Sequence, residues 1–163
     1  ASGALVLLED QDRQAWDHDA VAEGLALLER ALALRGRGPY VLQAAIAAEH
    51  ARAATAAETD WEGIAGLYDR LAEIDARPVV ALNRAVAVAM ARGPEAGLGL
   101  VDELEEPLHG YHLFHAARAD LLRRLERRDE AADAYIKALS LTDSEVERDF
   151  LARRLHNIKG LSL

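Results

Sequence analysis

The chain has 163 residues, no cysteine and a formal net charge of -9. That length suits one domain or a short run of repeats, while the absence of thiols excludes disulfides and thiolate metal sites and fits a reducing cytoplasm. The acidic balance opposes a direct grip on a phosphate backbone, and no stretch approaches the roughly 20 apolar residues of a membrane span, so neither nucleic acid nor membrane is an expected partner of this segment. Alanine and leucine dominate the apolar half, with only 5% aromatics and 4 prolines. Neither residue loses much side-chain freedom in a helix, so an all-α fold is predicted.

The chain opens without methionine, directly into Leu5-Val6-Leu7-Leu8. We therefore expect residues 1–16 to be a lead-in from an upstream region and 17–163 to form the helical domain. Asp17 and Asp19 sit at capping positions, followed by Val21, Leu25, Leu28 and Leu32 on one helical face. Gly36-Arg37-Gly38-Pro39 breaks that helix, and Pro39 suits the first turn of a second one reaching about Ala53. Thr59-Asp60 caps a third helix through Trp61, Ile64, Tyr68 and Leu71, which must end before Arg77-Pro78. A fourth is predicted from Pro78 to Ala91, and a fifth, weakened by Gly97 and Gly99, from Pro94 to about Glu105. Pro107 is read as the start of a long sixth helix carrying Phe114, Ala117, Leu121 and Leu125. A seventh covers Asp129 to Leu141, and Thr142-Asp143-Ser144 opens an eighth that ends near Ile158. The expectation is about eight helices in antiparallel pairs.

Aligning the first helix of each pair on a small residue matches Gly24, Ile64, Ala96 and Ala131, at offsets of 40, 32 and 35 residues. These bracket the period of about 34 residues of tetratricopeptide repeats. In such a repeat a small residue admits a neighbouring helix, a large one four positions on fills the gap, and a second small one follows three later. Ala131, Tyr135 and Ala138 satisfy this, with Ala119 as the small residue on the preceding helix, and Gly24, Leu28 and Ala31 fit in the first copy. Ile64-Tyr68-Leu71 and Ala96-Leu100-Glu103 are degenerate. The plain alternative is an ordinary helix-bundle core.

Polar chemistry concentrates in Tyr111 to Asp120. His109, His112 and His115 are three apart and invite a metal reading, but no Asp or Glu shares their stripe and the helical zinc pattern is absent, so no metal is expected. Asn83 and Arg84 interrupt an apolar helix. With Tyr68, His112, His115, Arg118 and Asp120 they are read as a polar clasp between repeats or as a groove for a peptide or another domain, Arg118 supplying a fork for a carboxylate. Gly93, Gly97 and Gly99 lack the strand and Lys-Ser/Thr of a phosphate loop. The acids Asp102, Glu103, Glu105 and Glu106 read as a solvated helix end, and Arg123-Arg124 with Arg127-Arg128 as a surface patch. No catalytic residue and no cofactor is expected.

Leu7-Leu8-Glu9-Asp10-Gln11-Asp12-Arg13 with Trp16-Asp17, Gly38-Pro39-Tyr40 with Gln43 to Ala48, Thr59-Asp60-Trp61 with Leu67-Tyr68, Leu82 to Ala87, and Tyr111-His112-Leu113 with His115 to Leu122 occur in this order. In that succession the chain resembles the C-terminal extension of bacterial extracytoplasmic-function (ECF) RNA polymerase sigma factors. The resemblance implies a tetratricopeptide-like, right-handed superhelical array. It also implies a cytoplasmic, non-catalytic regulatory domain whose partners are its own upstream sigma domains or the RNA polymerase core, with promoter DNA touched only through those other domains. Glu126, where that family tends to have Gly, and Asp143, where the general repeat has Pro, depart from the pattern. Uncapped apolar repeat ends offer a surface for a homodimer. A free-standing peptide-binding repeat scaffold is the alternative, and an enzyme or metal protein built on the histidines is the third reading.

Overall fold

The computed structural model describes residues 5–158 and 160; the first residues of the predicted lead-in and the last of the predicted domain lie outside them. The described residues form nine α-helices and three short 3-10 turns, with no strand. The chain divides into two compact units within its fourth helix, between Ala87 and Val88.

The first unit runs from Val6 to Ala87. Its helices are α1 (His18–Ala33), α2 (Pro39–Arg52), α3 (Trp61–Ala72) and the first part of α4 (Pro78–Arg92). Asp17 caps α1 by accepting from the Ala20 amide at 3.0 Å, and Asp60 caps α3 through the Gly63 amide at 2.8 Å. α1 ends in a Schellman turn: the Gly36 amide donates to the Ala31 carbonyl and the Arg35 amide to that of Leu32. Arg35 takes the left-handed position at φ 58°, and Gly36 is required because a Cβ there would stand 2.8 Å from the Ala31 oxygen. α1 packs on α2 and α2 on α3. Leu28, Leu42, Ile46, Ile64, Ala65 and Leu71 are buried in this unit.

The second unit, from Val88 onward, holds the rest of α4 with α5 (Pro94–Asp102), α6 (Glu105–Leu108), α7 (His112–Arg124), α8 (Arg128–Leu141) and α9 (Glu145–Ile158). α7 packs against α5 and α8, and α8 against α9. Short loops between contacting consecutive helices make α7/α8 and α8/α9 antiparallel neighbours. At the α7/α8 contact Ala119, Ala131 and Ala138 are all 0% exposed and Tyr135 2%, so the backbones approach closely around one large ring. α7 closes with the same turn as α1, the Arg127 amide reaching the Leu122 carbonyl and that of Glu126 reaching Arg123, with Glu126 at φ 60°.

Three predictions need correction. The long sixth helix starting at Pro107 is two helices, because Tyr111 is extended (φ -104°, ψ 111°) and separates α6 from α7. Pro107 lies in the first turn of α6, where its missing amide proton costs nothing. In α5 the alignment is off by one, since Ala96 is exposed and Gly97 is buried with Leu98 and Val101. Gly24 is not a packing position: it is exposed, and a Cβ there would meet nothing within 4 Å.

Candidate interaction site

The residues read as a groove or clasp belong to both units: Tyr68, Asn83 and Arg84 to the first, His112, His115, Arg118 and Asp120 to the second. In the first unit Tyr68 is half-buried, and burial pushes its hydroxyl above the usual tyrosine range. Arg84 donates through Nε to Asp69 on α3. Asn83 is exposed. α4 is apolar almost all round, and its buried residues, Val80, Leu82, Ala85, Ala87, Val88 and Ala89, leave Asn83 on the outer arc beside Val79.

In the second unit the carboxylate awaited by Arg118 is internal. Its Nε donates to Asp102 Oδ1 at 2.7 Å, tying α7 to the end of α5. Asp120 accepts from Nε and Nη2 of Arg123, at 3.1 and 2.6 Å, one turn along its own helix. The histidines diverge. Nε2 of His115 donates to the His109 carbonyl at 2.8 Å, and Nδ1 of His109 donates to that of Glu106 at 2.9 Å. His109 is the C-cap of α6 and not a member of α7. His112 Nε2 lies 3.0 Å from Glu147 Oε2, an ion pair when the ring is protonated. Glu147 takes its aligned bond from the Thr142 hydroxyl at 2.5 Å, and this bond, with His112, holds its carboxyl below the usual range. Among the described residues no three His, Asp or Glu side chains converge as metal ligands would.

Two arginines that sequence reasoning passed over organise more of the structure than this cluster. Arg13 donates through Nη1 to the carbonyls of His50 and Ala53 and through Nη2 to Thr59 Oγ1 at 3.3 Å. It thus closes the C-terminal end of α2, where cationic donors are favoured. Arg148 does the same for α8, reaching the Leu139 carbonyl at 2.9 Å and that of Thr142 at 3.2 Å. Beside Arg13, an open cleft of about 330 Å³ is lined by Trp16, His18, Val21 and the end of α2, with the Arg13 guanidinium 5.2 Å from the Trp16 ring centre. The signal for Arg13 was its place in the quoted N-terminal motif; nothing local predicts a partner 37 residues away.

No family model matches the chain, and no solved structure does. An uncharacterized protein of Rhizobium meliloti (strain 1021) is 46% identical to it over 158 residues, covering 97% of this chain. The chain spans 37% of that relative's length.

Proposed function

We propose that this chain is the non-catalytic regulatory and protein-interaction domain of an ECF-type RNA polymerase sigma factor. The single observation that carries the reading is the match to a much longer relative: nearly the whole chain corresponds to 37% of that polypeptide, as a module joined to other domains would. The ordered succession of motifs from Leu7 to Leu122 supplies the sigma-factor assignment. A tetratricopeptide-like, right-handed superhelical array is the arrangement proposed for the helix pairs. Supporting it, Gly97 and Ala131 are both buried and lie 34 positions apart, each followed four residues later by a buried larger side chain, Val101 and Tyr135.

In this reading the acidic surface docks on the basic sigma domains of the same protein, or on the polymerase core, and shifts the factor between silent and promoter-competent states. The cytoplasm is the compartment such a factor requires. The test is transcription from a cognate promoter by RNA polymerase with the full-length protein and with a version lacking residues 17–163. Altered output, with the separated domain binding the remainder in a salt-sensitive way, is the expected result. Equal output and no binding would overturn the proposal, as would a coding sequence with no sigma-type helices upstream.

A further inference from the structure

α1 carries two apolar stripes. The inner one, centred on buried Leu28, packs on α2. The outer one consists of Ala20, Gly24, Leu27 and Ala31, with the C-cap residue Leu34 just beyond the helix, spaced four, three, four and three apart, which is the seam spacing of a coiled coil. Leu27 is 54% and Leu34 84% exposed, and the space over Gly24 is empty to 4 Å. A helix in water rarely lays leucines along a second face unless something covers them.

We propose that the outer face of α1 is a self-association surface, pairing antiparallel with α1 of a second copy of this chain. Shape and charge both single out this occupant. In an antiparallel register Leu27 of each copy sits over Gly24 of the other, where the missing side chain leaves room, and Ala20 meets Ala31. Glu23 and Arg30 are seven residues apart, so they flank the seam on the same side. Antiparallel seams bring like flanks together, so Glu23 of one copy comes opposite Arg30 of the other, twice by symmetry. A parallel pairing would not join them on this flank. Both side chains are exposed, and neither has an ion-pair partner among the described residues.

The test is sedimentation equilibrium of the 163-residue chain from low micromolar to millimolar concentration, with folding followed by circular dichroism. We expect a monomer-dimer equilibrium. Glu23→Arg alone and Arg30→Glu alone each turn two attractions into two repulsions and weaken the dimer by about tenfold, and the double exchange restores it. A monomer at every concentration, as when a different protein covers this face, would overturn the proposal. So would a dimer indifferent to both single reversals. The promoter experiment above reads transcription and binding to the upstream domains, so its failure and the absence of a dimer are observed separately.

Discussion

Nη1 of Arg13 lies 2.6 Å from the carbonyl oxygen of His50, a bond between residues 37 apart that fastens the segment before α1 to the end of α2. The same guanidinium also serves Ala53 and Thr59, so one side chain satisfies three acceptors from a helix end and the loop beyond it. We expect Arg13→Ala to lower stability by about 1.5 to 3 kcal/mol, the range for bonds to a charged donor. Arg13→Lys should recover only part of this, since an ammonium lacks the planar fork. Urea midpoints of the three proteins at constant slope are the measurement.

Protonating His50 should loosen the same region. Burial lowers its pKa, and the neighbouring Arg13 charge adds to the effect against a smaller opposing pull from Glu49; the ring stands edge-on to Trp61 at 5.2 Å. With the folded pKa below the ordinary 6.5, the unfolded chain takes up the proton first. The contribution of His50 is therefore complete above that value and is lost as pH falls through the folded pKa. Stability measured on acidification should decline less steeply in His50→Gln than in the parent; an equal slope would count against the assignment.

Glu126 occupies a left-handed backbone position that glycine holds without cost. Glu126→Gly should stabilise the protein by about 0.5 to 1 kcal/mol, the left-handed penalty less the added freedom glycine gives the unfolded chain. Gly93, at φ 100°, predicts the converse: Gly93→Ala is strained and should lower the thermal midpoint.

Two small residues in the expected repeat should respond in opposite ways. In the monomer Gly24→Ala fills open space on an exposed helix face and should stabilise by about 0.5 to 1 kcal/mol. Ala131→Leu must fit into a contact with 0% exposure and should cost about 1 to 3 kcal/mol or more. Thermal unfolding distinguishes the two directions.

Asn83→Ala should change stability by less than about 0.5 kcal/mol, as an exposed side chain outside any structural bond does. Arg118→Ala and Asp102→Ala, combined in a double-mutant cycle, should show a coupling of about 0.2 to 1 kcal/mol, because both partners are partly exposed. If these variants alter transcription in the full-length protein while folding holds, these surfaces take part in docking.

What the sequence carried plainly was its punctuation. Asp17 and Asp60 cap the helices predicted to follow them, and Gly38-Pro39 and Gly93-Pro94 start helices where expected, since each signal acts within one turn. The α8 pattern of Ala131, Tyr135 and Ala138 was equally legible because small and large residues alternate at contact spacing. Harder to read was which side of an apolar helix faces inward. α4 has hydrophobic residues on all sides, so periodicity did not place Asn83 outside, and in α5 adjacent Ala96 and Gly97 are equally small. Pro107 misled because proline favours a helix start in α6 and α7 alike; the extended Tyr111 between them has no local signature. Arg118 was read as a fork for the carboxylate of a docked peptide or domain; its single Nε bond to Asp102, on a neighbouring helix, has no local signature.

The contact of α7 with α8, built from alanine methyl groups around one tyrosine, leaves no slack for side chains to rearrange. Evolutionary drift there should proceed in compensated steps, a larger residue on one helix accompanied by a smaller one on its neighbour. The outer positions of α1 are free to change singly wherever nothing rests on them, so the pattern of substitution in related chains is itself a record of which faces are occupied.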